Sequence, residues 1–356
     1  MLLDLIFIGL LLIVFHFVEP VYYFKYVSGK RLDISRTLAD PPHVSIIVPT
    51  YNEGDKIVDK IKNILESYPK DYMEILVVDA SNDNTVDIVK SLNIPQLRII
   101  KEEKRRGKIF AVKEGIKMSK YNIVIITDAD AFWKSNLFNA VKYLTGSVGA
   151  VSCIKTANND LENAYRSFYN LIRLGESAIF SSPIFHGEMT AFRKDVLNEN
   201  EIPNVGADDS TIATLVSLKG YRAICVDNML AYELAPKDLK DYISWKMRRG
   251  SHLIRLFLRF IRPVMRSNNK KFKEVFLEEF YLHLINPWIL VLGIVLLFLG
   301  NFILALGLIG LALIAYLVSK RVRNYIRAWI PNQFFLILAQ IFSLKGEVLA
   351  WKKEKK

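Results

Sequence analysis

The sequence predicts an α/β domain with a mostly parallel sheet, and transmembrane helices on both sides of that domain. Strand-like runs alternate with helical segments between residues 44 and 130, which indicates right-handed strand–helix–strand crossovers. Polar clusters directly follow these strands, so we expect them at one edge of the sheet. Apolar runs long enough to cross a bilayer lie near both ends of the chain.

The composition fits one such domain with membrane segments. The 356 residues are 51% hydrophobic, yet 48 Lys and Arg face 36 Asp and Glu, for a net charge of +12. A chain that is both apolar and cationic is typical of a membrane-surface protein or a binder of anionic ligands. The sequence contains no nucleic-acid-binding motif, which disfavours nucleic acid as a partner. Cys153 and Cys225 lie in apolar strand-like runs, which predicts buried free thiols.

Residues 1–27 are predicted to form an N-terminal transmembrane helix, followed by a linker over residues 28–43. Leu2–Val18 is almost wholly apolar and long enough to span a bilayer. It has neither the basic start nor the small-residue cleavage site of a signal peptide. By the positive-inside rule, the basic residues after it predict that the next domain lies in the cytoplasm. These residues are Lys25, Lys30, Arg31 and Arg36.

Strands and helices then alternate. Strands are expected at Val44–Val48, Glu74–Val78, Leu97–Ile100 and Ile123–Ile126. The first helix is expected at about Asp55–Ser67, the second ends at about Leu92, and the third ends at about Met118. A strand at Gly149–Thr156, a helix at Asp160–Ile179, a strand at His186–Arg193 and a helix up to Lys219 follow. The strand that ends at Ile126 is an unbroken β-branched run, which is typical of burial on both faces.

Two carboxylates one residue apart, Asp128 and Asp130, follow this buried strand. At the carboxyl end of a central strand they point into the ligand crevice of an open α/β sheet. Together they can bind one hard divalent cation, which keeps open positions for substrate phosphates. The competing interpretation is a surface turn, in which Asp is common.

Four other polar clusters suit a nucleotide and its acceptor. The segment from Thr50 to Glu53 follows the first strand, and Asp79 follows the second, where it could accept hydrogen bonds from a base or ribose. The competing role of Asp79 is to cap a helix. The segment Arg105–Lys108 brings cations to a helix start, which favours anions but also fits a solvated basic loop. Asp208-Asp209 opens a helix, so one acid can cap it and the other can act as a general base.

The C-terminal part is predicted to lie on and in the membrane. Residues 238–280 are expected to form amphipathic interfacial helices, because aromatic and basic residues mix over Tyr242–Arg262. Residues 281–319 are expected to form a transmembrane hairpin of Leu284–Leu299 and Phe302–Val318, flanked by cytoplasmic lysines and arginines. Residues 320–356 are expected to form an interfacial or re-entrant segment, Ile330–Leu344, and a basic cytoplasmic tail.

In this order and spacing, the motifs resemble those of membrane-integrated family 2 glycosyltransferases with a GT-A catalytic domain, such as cellulose, chitin and hyaluronan synthases. The motifs are residues 45–53 (SIIVPTYNE), 77–81 (VVDAS), 106–108 (RGK), 128–130 (DAD) and 206–209 (GADD). The GT-A domain is then expected to cover residues 44–237.

The resemblance implies a hexosyltransferase that transfers a sugar with inversion from a UDP- or GDP-sugar, with Mg²⁺ or Mn²⁺ as cofactor. The positions that it assigns to the nucleoside diphosphate are Thr50, Tyr51, Glu53, Asp79, Lys108, Asp128 and Arg249. It assigns the metal to Asp130 with Asp128, and the general base to Asp209, the second acid of a pair with Asp208. It also assigns His186–Arg193 to the acceptor side of the sugar.

One departure from the family concerns processivity. Polymer-forming members carry a Q-x-x-R-W motif, but here Lys246 replaces its Gln and Gly250 replaces its Trp, while Arg249 fits its Arg. The expected product is therefore either a growing polysaccharide or lipid-linked glycan, or a single sugar on polyprenyl phosphate or a polyprenyl-linked acceptor. An inactive nucleotide-sugar-binding subunit is a third candidate, disfavoured by the intact acids. A nucleotidyltransferase would need a basic, Gly-rich loop where the acidic Thr50–Glu53 segment lies.

Overall fold

A mixed sheet forms the centre of the molecule, in a computed structural model that describes residues 2–34, 36–158, 160–236, 238–344, 346 and 348. Its strands are β1 Val44–Thr50, β2 Met73–Asp79, β3 Leu97–Lys101, β4 Ile123–Ile126, β5 Ala131–Trp133, β6 Val148–Ala157, β7 Thr190–Arg193 and β8 Arg222–Glu233. In the described residues they pair in the order β3-β2-β1-β4-β7-β6-β8-β5.

Helices connect and flank these strands. They are α1 Leu2–Ser28, α2 Ile57–Ser67, α3 Thr85–Ser91, α4 Lys108–Met118, α5 Phe138–Val141, α6 Asp160–Ile179, α7 Asp208–Leu218, α8 Leu239–Arg266, α9 Lys270–Phe280, α10 Asn286–Gly300, α11 Phe302–Val318 and α12 Lys320–Ser343. A π-helical segment, Tyr281–Ile285, joins α9 to α10.

The first half of the sheet has the predicted parallel arrangement. β3, β2, β1 and β4 run parallel, with Thr50 opposite Asp79 and Ile47 opposite Ile126. Aliphatic side chains cover both faces of these strands, as the β-branched run in β4 predicts. The carboxyl ends of β1, β2 and β4 therefore meet at one edge, followed by the polar clusters of the sequence.

The second half is antiparallel in part. β7 is antiparallel to both β4 and β6, and β5 is antiparallel to β8. The strand expected over His186–Arg193 begins only at Thr190, because residues 186–189 form a turn next to Asp128. Cys153 on β6 and Cys225 on β8 are buried free thiols, as predicted.

Two helices of the described chain are long and apolar enough to cross a membrane, Leu2–Ser28 and Lys270–Gly300. A third crossing is reached if α11 and α12, which are bent by 113° at their junction, count as one span. The expected span Leu284–Leu299 lies inside the longer helix that starts at Lys270. Ile330, expected to begin an interfacial or re-entrant segment, lies in the middle of α12. The basic tail, residues 351–356, lies outside the described residues.

α8 is longer than expected and is buried on one face. Trp245, Phe257 and Phe260 are almost fully buried, and α12 packs against the helix. Much of the apolar face expected to contact a membrane therefore contacts protein.

Candidate active site

A cavity of about 420 Å³ lies where the carboxyl ends of β1 and β4 meet the start of α7, the turn at 186–189 and helices α6, α8 and α12. It brings together all but one of the residues predicted to form the site. These residues are Thr50, Tyr51, Glu53, Lys108, Asp128, Asp130, Asp208, Asp209 and Arg249. The sheet topology explains the convergence, since the polar segments follow strands whose carboxyl ends share one edge.

Asp79 is the exception. Its carboxylate is fully buried and accepts hydrogen bonds from the hydroxyls of Thr50 and Ser81, both at 2.6 Å, and from the Ser81 backbone N–H at 2.9 Å. The register that sets Thr50 opposite Asp79 makes this contact possible. Here Asp79 joins the ends of β1 and β2, and its neighbour Ala80 lines the cavity.

The outer end of the cavity carries a stacked pair. The guanidinium carbon of Arg105 lies 3.7 Å from the centroid of the Tyr51 ring. Cations stack favourably on aromatic faces. A flat, polar surface of this kind, beside Glu53, offers both stacking and hydrogen-bonding groups.

Lys108 connects the D-x-D motif with the acidic pair. Its Nζ lies 2.8 Å from Oδ1 of Asp128 and 3.3 Å from Oδ2 of Asp208. Burial lowers the pKa of Lys108, but the carboxylates of Asp128, Asp208 and Asp209 outweigh that effect and raise it above its usual value. Gly187 allows this approach, because a Cβ there would lie 2.9 Å from Oδ2 of Asp128 and 3.2 Å from the Lys108 Nζ.

The pKa of Asp209 is raised, as a general base at neutral pH requires. Burial and the neighbouring Asp208 carboxylate raise its pKa to about 6, while Lys108 and Arg249 oppose the rise. Burial also raises the pKa of Asp208. The expectation that one acid caps α7 is wrong: the helix begins at Asp208 after Ala207, without a side-chain cap. Asp208 pairs with Lys108, and Asp209 Oδ1 accepts the N–H of Ser210 at 2.7 Å.

The D-x-D carboxylates suit a divalent cation that is completed by a substrate. Asp128 and Asp130 supply hard oxygen donors and both line the cavity. Mg²⁺ commonly takes one or two protein carboxylates and completes its shell with phosphates and water.

A buried ion network next to these acids escaped the sequence analysis. Oε2 of Glu233 accepts hydrogen bonds from Nζ of Lys155 at 3.0 Å and from the guanidinium of Arg166 at 2.8 Å. The Glu233 carboxylate also forms an ion pair with Arg249. Lys155 further contacts Glu188 at 2.7 Å. These side chains come from β6, α6, the turn before β7, β8 and α8, so only the tertiary fold assembles them. The sequence signal was weak: Lys155 is the single charge in β6, and Glu233 is the last residue of β8.

The place of the absent Q-x-x-R-W tryptophan is filled in another way. A Cβ on Gly250 would lie 2.8 Å from the Cβ of Ala339, so α12 occupies the space beside α8 at this position. Trp245, one helical turn before Arg249, also lines the cavity, and the Arg249 guanidinium lies 4.8 Å from its ring centroid. In the sequence, Trp245 is one of the aromatic residues of the amphipathic segment Tyr242–Arg262.

Several known proteins are similar to this chain in sequence or in fold. The model of glycosyl transferase family 2 matches residues 45–200. A mannosyltransferase from Pyrobaculum calidifontis, solved in complex with GDP-Man and Mn²⁺, has a TM-score of 0.84 and 36% sequence identity over 96% of this chain and 99% of that one. Poly-β-1,6-N-acetyl-D-glucosamine synthases are more distant. The Staphylococcus aureus enzyme is 24% identical over 71% of this chain and 66% of its own length, and the Staphylococcus epidermidis enzyme 24% over 77% and 71%.

The chain spans about two thirds of the length of the Staphylococcus aureus synthase but nearly all of the solved mannosyltransferase. The family model matches only residues 45–200, whereas the similarity to the mannosyltransferase also includes the helices before and after the sheet. The mostly parallel mixed sheet is therefore a GT-A-like fold, as the sequence motifs predicted. The chain belongs to glycosyl transferase family 2.

Proposed function

We propose that this glycosyltransferase moves a sugar, with inversion, from a nucleoside-diphosphate sugar to an acceptor hydroxyl at the cytoplasmic face of a membrane. The observation that carries the proposal is the convergence of Asp128, Asp130, Lys108 and Asp209 on one cavity. Two acids for a metal, a cation for a diphosphate and an acid with a raised pKa are the groups that this chemistry requires.

The first donor to test is GDP-mannose. The mannosyltransferase that resembles nearly the whole chain was solved with GDP-Man and Mn²⁺, which supports this choice. UDP-N-acetylglucosamine is the second candidate, because the more distant relatives are N-acetylglucosamine polymer synthases. Tyr51, Glu53 and Arg105 would hold the nucleoside, with Asp79 fixing the strand ends below them.

The diphosphate would lie against Lys108, with Asp128 and Asp130 holding Mn²⁺ or Mg²⁺ on its oxygens. A bound divalent cation neutralises the negative charge that develops on a leaving diphosphate. Arg249 adds a second cation on the inner side of the cavity. Lys108 already lies against two acids, so it can stabilise the diphosphate without a long side-chain movement.

Asp209 would act as the general base. The acceptor hydroxyl oxygen forms a bond to the anomeric carbon while the bond from that carbon to the diphosphate oxygen breaks. The hydroxyl proton passes to the Asp209 carboxylate, and the electron pair leaves with the nucleoside diphosphate. A pKa of about 6 keeps Asp209 ionised at neutral pH yet basic enough to take the proton.

Transfer of single sugars to a lipid-linked acceptor is the favoured product class over a long polymer. The packing of Gly250 against Ala339 supports it, because α12 fills the position where polymer-forming relatives carry a tryptophan. The basic residues after α1 and before α10 support a cytoplasmic catalytic domain. Labelling of Lys30 by a membrane-impermeant amine reagent added outside intact cells would contradict that orientation.

Release of nucleoside diphosphate by the purified, detergent-solubilised chain tests the proposal. We would screen GDP- and UDP-sugars with Mn²⁺ or Mg²⁺, add a chelator as control, and compare Asp130→Ala with the exposed-acid variant Asp59→Ala. Metal-dependent release from one donor, lost in Asp130→Ala and kept in Asp59→Ala, is the expected result. Donor binding by calorimetry without release from any donor would favour the inactive binding subunit.

A further inference from the structure

Lys60 on α2 is a fully buried lysine that lies behind the D-x-D turn. Its side chain has no exposed surface, and its Nζ donates a hydrogen bond of 2.6 Å to the carbonyl oxygen of Ala131. The Nζ also lies 4.4 Å from the centroid of the Trp133 ring. In the part of the chain that the structure describes, Lys60 forms no ion pair. Lysine is almost never fully buried without such a partner.

Folding by itself gives no reason for a lysine at this position. Taking an amine out of water costs free energy, which an apolar side chain of the same length would avoid. Burial lowers the pKa of Lys60 to about 7 for this reason, and the charges of Asp128 and Asp130 oppose the fall. Proteins commonly give up stability in this way at functional sites. The position of Lys60 therefore points to a role in the neighbouring metal motif.

The D-x-D turn is held by hydrogen bonds on the side opposite to α2. The Thr127 hydroxyl and the Trp133 indole N–H both donate to the carbonyl oxygen of Glu188, at 2.7 and 2.9 Å. Between them, the N–H of Asp128 donates to the Gly187 carbonyl at 3.2 Å. These bonds fix one side of the segment 127–133. The bond from α2 to the residue directly after Asp130 fixes the other side.

α2 takes the place of a neighbouring strand beside β5. In the described sheet β5 pairs with β8 along one edge. Along the other edge, Asn63 of α2 donates to the Trp133 carbonyl and accepts from the Trp133 N–H, both at 2.8 Å. Lys60 satisfies the Ala131 carbonyl two residues earlier in the same strand. The outward backbone groups of an edge strand need such partners, and here side chains of one helix supply them.

The same helix begins at the segment predicted to hold the nucleoside. The N–H groups of Lys56 and Ile57 both donate to the Glu53 carbonyl at 2.9 Å, and the N–H of Lys60 donates to the Lys56 carbonyl at 3.0 Å. One helical turn thus separates the end of the Thr50–Glu53 segment from Lys60. α2 therefore connects the nucleoside end of the cavity with its metal end.

We propose that Lys60 is a positioning residue for the metal: its Nζ fixes the Ala131 carbonyl and thereby the direction in which the two D-x-D carboxylates face one divalent cation. Lys60 is not among the residues that line the cavity, so it acts through the turn and not on the substrate. Loss of a group that orients metal ligands typically costs about 10- to 100-fold in metal affinity. The proposal rests on the transferase function above and adds a residue to its metal site.

Metal binding without turnover is the first measurement. The purified full chain is titrated with Mn²⁺ in the presence of GDP, or of UDP if the donor screen selects a UDP-sugar, and free Mn²⁺ is followed by electron paramagnetic resonance. We expect Lys60→Met to bind Mn²⁺ about 10- to 100-fold more weakly than the parent chain. Lys62→Met, exposed on the same helix, should match the parent. Unchanged or tighter binding by Lys60→Met overturns the proposal, and tighter binding would show that the amine merely repels the cation.

Steady-state kinetics give the second measurement. In Lys60→Met the Mn²⁺ concentration for half-maximal rate should rise by the factor found in the titration, while kcat at saturating Mn²⁺ stays within about threefold of the parent value. Lys60→Gln, whose amide can still donate to a carbonyl, should lie between the two. A lower kcat at an unchanged half-saturating Mn²⁺ concentration would remove Lys60 from the metal site.

Thermal unfolding without metal separates positioning from a purely structural role. Lys60→Met loses one hydrogen bond but no longer buries an amine, so its unfolding midpoint should stay close to that of the parent chain. A large fall in the midpoint would assign Lys60 to the fold and overturn the proposal. Failure of the transferase function has a different signature, since the parent chain itself would then bind no Mn²⁺ with either nucleoside diphosphate.

Discussion

Lys108 Nζ lies 2.8 Å from Oδ1 of Asp128, so the first helix residue after the basic loop is paired with the first acid of the D-x-D motif. The same ammonium group reaches Asp208 at 3.3 Å. One cation thus contacts the site predicted for the metal and the acidic pair whose second member, Asp209, is predicted to act as the base. This coupling makes the pH dependence of the enzyme a test of the geometry.

Replacing Lys108 by Met should move the acidic limb of the pH–rate profile to higher pH. Lys108 lowers the pKa of Asp209, so its removal lets burial and Asp208 raise that pKa beyond about 6. A shift of this limb by one pH unit would correspond to about 1.4 kcal/mol of interaction between Lys108 and the ionised Asp209 carboxylate. The measurement is kcat/KM between pH 5 and 9 at saturating metal for Lys108→Met and for the parent chain. The pH at which the acidic limb falls is compared, rather than the maximal rate. An unmoved limb would mean that Lys108 does not act on Asp209.

Asp209→Asn should slow transfer strongly while leaving donor affinity within a few-fold of the parent chain. The amide cannot take a proton, and loss of a general base typically costs about 10²- to 10⁴-fold in rate. In the parent chain, kcat/KM should fall about tenfold per pH unit below pH 6, because the protonated carboxyl is inactive as a base. Residual turnover of Asp209→Asn should lack this limb. If donor affinity collapses instead, Asp209 has a binding role.

Glu233→Gln should destabilise the fold strongly, because Lys155, Arg166 and Arg249 would share a neutral partner inside the protein. Breaking a buried ion pair on one side costs about 3–5 kcal/mol. The matched control is Asp195→Asn, which breaks a largely exposed pair with Arg193 and should cost about 0–1 kcal/mol. Thermal unfolding in detergent compares the two variants. Similar midpoints for both would show that the buried network contributes little to stability.

Gly250→Ala should lower the unfolding midpoint, and Ala339→Gly in the same chain should recover much of the loss. The added methyl group would meet the Ala339 Cβ at 2.8 Å, and overpacking of this kind costs about 1–3 kcal/mol. Gly250→Trp, which restores the residue of polymer-forming relatives, should be worse still and should not lengthen the product. Recovery of stability by the double variant is the decisive measurement. Tolerance of Gly250→Trp, with longer products on a gel, would contradict the packing argument.

The sequence was sufficient wherever function depends on what directly follows a strand. Asp128 and Asp130 were assigned to the cavity because they end a buried strand, and the structure has them there. The parallel half of the sheet followed from the alternation of short strands and helices. Asp79 satisfied the same rule but lies just outside the cavity lining, because its neighbours Thr50 and Ser81 bind its carboxylate.

Residues that act through distant pairing could not be found in this way. Glu233 contacts Lys155, which is 78 positions away in the chain, because β6 and β8 are paired and α6 packs against them. A single charge in an apolar strand signals that some partner exists without naming it. The close packing of Gly250 against Ala339 likewise depends on where α12 lies.

The sequence by itself determined the family, the parallel direction of the first four strands and the position of the carboxylates, because each of these is encoded in local patterns of a few residues. The tertiary structure alone decided that Lys108 is paired with Asp128 and Asp208, that Glu233 holds three cations, and that Lys60 is buried behind the D-x-D turn. Burial changes the charge and hydrogen-bonding needs of each of these groups, and burial is a property of the packed chain rather than of any segment.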